Sequence, residues 1–290
     1  MSDLKLGSYR YPAVLRCIYC GDSDARNLTD EHIFPYSLGG NLILEKSSCR
    51  ECANITKKYE QTVARDVFGK FRVKHDIQTR RKKERPQSYP IDINNPDGTI
   101  STIDIPAKSH PSPLFLYKFA PANILYGLSQ EIDTFLWIIY CAATSDPKEL
   151  IETYKWDGKL KIRPVPIEFA RMLAKIAHAH AVAMLGTEAF HPLALDIILC
   201  RTDNVSYLVG GNYVAPTSST DDLEAPVQGA GHLFSLRYVS GPHQELLLLG
   251  EIRLFASLSS PTFHVIVGKV KNQVHHDIFE SKRLLAANNS

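Results

Sequence analysis

Four cysteines stand as two pairs, Cys17 and Cys20 in "CIYC" and Cys49 and Cys52 in "CREC". Between the pairs runs "LTDEHIFPYSLGG", residues 28–40, in which Glu31 directly precedes His32 and Pro35 and Gly39-Gly40 close the stretch. One CxxC followed by another is the pattern of a tetrahedral four-thiolate zinc site. A thioredoxin-like redox motif needs one pair in a βαβ setting, which this region does not offer. Zinc held by four thiolates is coordinatively closed, so it can build a fold but cannot activate water. Chemistry must then lie in what the clamp displays. An imidazole titrating near neutrality can take a proton from water, and a carboxylate can hold a hard divalent cation against a phosphate oxygen. Glu31 and His32 are thus the minimum parts for metal-assisted hydrolysis of a phosphodiester.

The elements that must position them are short. "VLRCIYCG" reads as a strand entering a knuckle, with Gly21 where a tight turn needs positive φ. "NLTDEHIFP" reads as a strand leaving its ladder at Pro35, and "NLILE" as its return, which makes a β-hairpin with a wide loop. From Cys52 onward, Ile55, Tyr59, Val63, Val67 and Phe71 recur at three-to-four spacing, the mark of an amphipathic helix. Adjacent strand residues point to opposite faces, so Glu31 and His32 converge on one phosphate only if the backbone bends between them. Zinc would hold this small unit together: in zinc-finger peptides the metal contributes about 10–16 kcal/mol.

The residues "CIYCG", "DEHIFPYSLGGNLIL" and "SCRECANITKKYE" resemble the zinc-bearing form of the HNH nuclease motif, over about residues 14–75. The resemblance implies a treble-clef-like ββα-metal unit stapled by Cys17, Cys20, Cys49 and Cys52 around one structural Zn2+. It further implies an endonuclease that hydrolyses nucleic-acid phosphodiesters with one catalytic Mg2+ or Mn2+. His32 matches the family's general base, and Glu31 the acidic metal ligand before it, most often Asp in the family. Asn41 falls where the motif's central asparagine braces the loop. The third motif position, a His or Asn on the helix, commonly directly after the last cysteine, is where this chain departs, because Ala53 stands there and Asn54 follows. Asn54, with Thr56 or Glu60 as substitutes, is the expected second metal ligand.

Charge is unevenly divided. Residues 1–90 hold 17 Lys and Arg against 11 Asp and Glu, leaving 16 against 20 for residues 91–290. The basic excess is sharpest over residues 57–85 and would draw a polyanion. Lys57, Lys58, Arg65, Lys70, Arg72, Arg80, Arg81, Lys82 and Lys83 are the expected phosphate contacts, giving affinity without base readout. A solvated helix face followed by a charged linker is the plainer reading of the same run. DNA is the favoured substrate over RNA, and a homo-oligomer stays open.

At 290 residues and 44% apolar, the chain can bury real cores. Its longest apolar run, "FLWIIYCAA" at 135–143, falls short of the roughly 20 residues that span a bilayer. No secretory signal pattern opens the sequence, so a soluble, cytoplasmic protein without a membrane partner is expected. The organisation expected is α+β: an HNH unit over 1–75, a basic linker over 76–90, and a larger α+β accessory or specificity domain over 91–290. Within the last, "YPIDINNPDGTISTIDIP" reads as a hairpin, residues 129–143 and 166–186 as helices, and three stretches after residue 231 as strands. Cys141 and Cys200 stand alone in apolar surroundings and read as buried thiols. His178 and His180, His191, His275 and His276 read as structural or surface residues. Two rival roles remain: a zinc-stapled nucleic-acid-binding adaptor that has lost catalysis, and the nuclease effector of a defence system whose residues 91–290 sense a signal.

Overall fold

A computed structural model describes residues 8–77, 79, 82–211, 231–258 and 260–271. The N-terminal sheet has three strands in the order β1 (Tyr9–Tyr11), β3 (Leu42–Cys49), β2 (Leu28–His32). β2 and β3 are antiparallel, as the hairpin pattern requires, while β1 adds in parallel at the outer edge. The strand expected around Cys17 is instead a turn, and the ladder contribution comes from Tyr9–Tyr11 upstream of it. β3 runs directly into α1 (Arg50–Thr62), which continues through a π-helical stretch, Val63–Val67, into α2 (Gly69–Lys74).

Beyond it come the hairpin β4 (Ser88–Asn94) and β5 (Ile100–Pro106), then the hairpin β6 (Leu114–Phe119) and β7 (Trp137–Ala142). The helix expected over 129–143 is therefore wrong throughout: residues 129–136 are turn and irregular chain, and 137–142 are strand. The run "WIIYCA" is rich in β-branched and aromatic residues and finds a partner strand in β6, which decides between two states that an apolar run alone leaves ambiguous. Cys141 on β7 and Cys200 at the end of a short helix are both exposed, against the expectation of buried thiols.

α3 (Pro147–Tyr154) precedes α4 (Pro166–Leu185), the longest helix described. After β8 (Phe190–Pro192), α5 (Leu195–Ile198) and β9 (Val209–Gly211), the strands β10 (Leu233–Ser240), β11 (Leu246–Arg253) and β12 (Thr262–Val270) form an antiparallel sheet. β8 and β9 both pair with β12. The fold is α+β, with the cysteine-bearing unit at its N-terminal end. Among the described residues no helix is long and apolar enough to cross a membrane.

α4 is the axis of the structure. Phe169, Met172, Leu173, Ile176 and Ala179 are buried, and a helix apolar on nearly all sides is one covered on all sides. It packs against α1 on one flank and against β11 and β12 on another. One continuous core joins Cys17, Phe34, Tyr59 and Phe68 to Phe169, Phe190, Leu248 and Phe263, while Ile91, Ile105, Leu150 and Trp156 form a smaller separate cluster. Residues on both sides of the expected 76–90 linker share the larger core.

Three side chains from the C-terminal elements fix this junction by donating to carbonyls of the N-terminal unit. Lys175 Nζ donates to His32 O, and His178 Nε2 lies 2.9 Å from Ile18 O. His232 Nδ1 accepts the Phe255 N–H at 3.1 Å, so its proton sits on Nε2, which donates to Leu38 O at 2.9 Å. Its ring also stacks on Phe34 at 3.9 Å between centroids.

Burial pushes the imidazoles of His178, His180 and His232 each down to about 4. These histidines are neutral in the folded state and titrate near 6.5 when unfolded, so between those values the unfolded chain binds more protons. Their stabilising contribution is complete above about pH 6.5 and is lost as pH falls toward 4, at most about 1.4 kcal/mol per pH unit for each. Urea unfolding at pH 7, 6 and 5 should therefore show a steadily falling free energy, and a flat profile over that range would contradict the assignment.

Candidate active site and zinc clamp

The clamp is assembled by two local turns. Cys17 and Cys20 sit on a knuckle closed by a Gly21 N–H to Cys17 O bond of 2.9 Å, with Gly21 at φ +81°. Cys49 ends β3 and caps α1, its Sγ accepting the N–H of Cys52 at 3.4 Å. Helix N-termini favour negative charge, so the fold itself supports thiolates here. The four sulphurs lie within 4.8 Å of one another, and Cys20 Sγ and Cys49 Sγ are 3.6 Å apart. A tetrahedral Zn2+ with bonds of about 2.3 Å separates its sulphurs by about 3.8 Å, so the donor set fits that ion. Without a dication, burial and then the neighbouring Cys17 charge drive the Cys52 thiol far above its usual range. A central zinc would let four thiolates share the space.

The display loop is shaped by its backbone. A register irregularity between Thr29 and Glu31 leaves Asp30 exposed, paired with Arg10 at 2.5 Å. Beyond β2, Tyr36–Leu38 forms one 3₁₀ turn that Gly39 ends at φ 93°. Gly40 has no room for a side chain: a Cβ there would lie 2.2 Å from Phe34 O. Asn41 follows at the entrance to β3, where its carbonyl accepts the Tyr9 N–H at 2.9 Å.

Glu31 and His32 leave β2 on opposite sides, as consecutive strand residues do. His32 is half-buried and meets the Tyr36 ring edge-on, with centroids 5.8 Å apart. Glu31 is buried, and its Oε1 lies 2.5 Å from Lys175 Nζ. The same ammonium is 2.9 Å from Glu60 Oε1 and donates to His32 O. Lys175 is completely buried. Burial works against its charge, but the Glu31 and Glu60 carboxylates outweigh it and hold the ammonium above its ordinary pKa. Burial raises Glu60 in turn, with Lys175 opposing and Glu31 adding to the rise. Tyr19 and Tyr59, both buried, lie beside these carboxylates; burial first, and then the charge of Glu31 for Tyr19 and of Glu60 for Tyr59, hold the phenols well above their usual range.

Of the helix positions expected to complete a catalytic metal site, Asn54 is exposed on α1. At 100° per residue it is turned about 120° from Glu60, which is the residue that reaches Glu31's cation. Thr56 is buried and donates to Ala53 O at 3.2 Å. The carboxylate oxygens that could ligate a divalent ion thus face an ammonium already in contact with both, and with Lys175 in place the residues do not fit a second cation there. Sequence reasoning missed Lys175. Its signal was a lone cation in "MLAKIAHAHAVAML", a helix stretch otherwise without Lys, Arg, Asp or Glu.

The expected phosphate contacts divide. Lys57, Lys58 and Lys83 are exposed. Arg65 is exposed but pairs with Asp66 at 2.6 Å. Lys70 is turned inward, 5.5 Å from the Tyr89 ring centroid and 3.3 Å from His110 Nε2. Arg72 donates to Ala64 O at 3.1 Å, and burial, then Arg85, lower its pKa. These two cations serve the interior rather than a surface. Arg80 and Arg81, the side chain of Lys82, and His275 and His276 lie outside the described residues.

A zinc-ready four-cysteine clamp holding a β-hairpin against a helix, with an acid–histidine pair at the hairpin's first strand, defines the class. Residues 17–66 of that unit match the sequence model of the HNH endonuclease family. No curated protein and no solved structure matches the chain.

Two consequences are measurable. Cys49→Ser should lower bound zinc from one equivalent to none by elemental analysis and reduce the melting temperature; full zinc occupancy in the variant would sink the clamp. Gly40→Ala should destabilise by about 1–3 kcal/mol in urea, since the obstructing atoms are backbone and cannot rotate away.

Proposed function

We propose that the chain is an HNH-type nuclease that hydrolyses phosphodiester bonds of nucleic acid, DNA before RNA, with His32 as general base. The observation that carries this reading is the placement of His32 at the end of β2, within the clamped unit matched by the HNH family. Its half-buried ring keeps access to solvent. A neutral imidazole nitrogen takes the proton of an attacking water, and the water oxygen displaces a bridging phosphate oxygen. Lys57 and Lys58 on the exposed side of α1 supply positive charge for the backbone. Asn41 steadies the loop that carries His32. No step is assigned to a divalent ion at Glu31, because Lys175 stands there.

That same ammonium favours a second reading, a zinc-stapled nucleic-acid-binding adaptor without catalysis. The two readings part on one variant. His32→Ala should keep its zinc and its melting temperature while losing about 100- to 10,000-fold in cleavage rate, the range of general-base contributions. Plasmid, single-stranded DNA and RNA, each with magnesium, manganese or chelator, are the substrates to use. Equal cleavage by parent and variant would remove His32 from the mechanism, and binding without cleavage by the parent would select the adaptor.

A further inference from the structure

We propose that Lys175 is the resident cation of this HNH unit: its ammonium permanently engages Glu31, which the family resemblance makes a ligand of the divalent ion, together with Glu60. An ammonium has three N–H donors and no acceptor. Here one is donated to His32 O, and the charge lies in ion-pair contact with Glu31 Oε1 at 2.5 Å and Glu60 Oε1 at 2.9 Å. A divalent ion seeks carboxylate oxygens at about 2.0–2.6 Å, so at these oxygens it would press against the ammonium without a solvent layer to screen the repulsion.

The ammonium cannot be a gate that swings aside. Lys175 lies mid-helix in α4, fully buried, between Leu173 and Ala174 on one side and Ile176 and Ala177 on the other, all buried. Withdrawing it means lifting α4 from α1 and from the C-terminal sheet, which opens the core. The side chain also reaches the carbonyl of the proposed base, so the cation that pairs with the two carboxylates also holds the strand end from which His32 projects. In this reading Glu31 is a holder of Lys175 rather than a ligand of a catalytic metal. The role toward His32 rests on the nuclease reading above, whereas the occupancy by Lys175 does not.

The test is Mn2+ titration of the zinc-loaded full chain, followed by electron paramagnetic resonance. Wild type and Glu31→Gln should bind Mn2+ alike, with no tight site in either. Lys175→Met leaves two buried carboxylates facing each other and should gain one Mn2+ site at least tenfold tighter than any in wild type, lost again in Lys175→Met/Glu31→Gln. Stoichiometric Mn2+ binding by wild type that weakens tenfold or more in Glu31→Gln would overturn the proposal, as would a folded Lys175→Met that takes up no ion. If Lys175→Met does not fold, the comparison of wild type with Glu31→Gln decides alone. Metal binding is read here without substrate, so an inactive protein with the expected Mn2+ pattern would refute the nuclease and leave the resident cation standing.

Discussion

A charge buried out of reach of water governs this structure. The ammonium of Lys175, completely buried, is tolerated only because Glu31, Glu60 and a backbone carbonyl converge on it. Removing one partner from such a group typically costs about 3–5 kcal/mol, since an uncompensated charge is left in the interior. Replacing all members by apolar residues of like volume can be neutral, so the value of the arrangement lies in what it specifies. It specifies a register: β2, α1 and α4 can meet in only one way if the three charges are to be satisfied. The neutral imidazoles of His178 and His232 do the same at Ile18 O and Leu38 O with hydrogen bonds alone.

The zinc clamp and the charged triad act on different ends of β2. The cysteines fix the strand's beginning, where Leu28 pairs with Cys49, and the whole turn from β3 into α1. The triad fixes its end, where His32 O receives the Lys175 proton and the chain departs into the Pro35 turn. Between them the irregularity at Asp30 absorbs the mismatch and directs Asp30 outward to Arg10. In the proposed nuclease, an imidazole that takes a proton would gain from being held at both ends, because a misplaced base loses rate steeply.

Local spacing made the N-terminal unit legible. The two CxxC pairs, the β2–β3 hairpin and the apolar series from Tyr59 to Phe71 are all patterns within about 30 residues, and the chain folds them as those patterns indicate. Lys175 was not legible, because its partners lie 115 to 144 positions away and no periodicity links them. Nor was the fate of Lys70 and Arg72: a charge run looks the same whether its members face solvent or reach inward to His110 and Ala64. At β7 the reading failed for a different reason. "WIIYCA" can serve as a buried helix or a paired strand, and only the presence of β6 as partner decides it.

The two faces of β2 divide the work that the sequence assigns to one pair of adjacent residues. Glu31 points inward, to a charge it must neutralise, while His32 points away, half-open to solvent. An acid so engaged cannot also present an oxygen to substrate without abandoning Lys175 in the core. The chemistry available to the outer face is then what a histidine, its aromatic neighbour Tyr36 and exposed lysines can perform on a polyanion. In the proposed nuclease that combination suits proton abstraction and phosphate attraction, and charge neutralisation at the phosphate would fall to side chains of α1 such as Lys57 and Lys58 rather than to a metal ion held by the buried carboxylates.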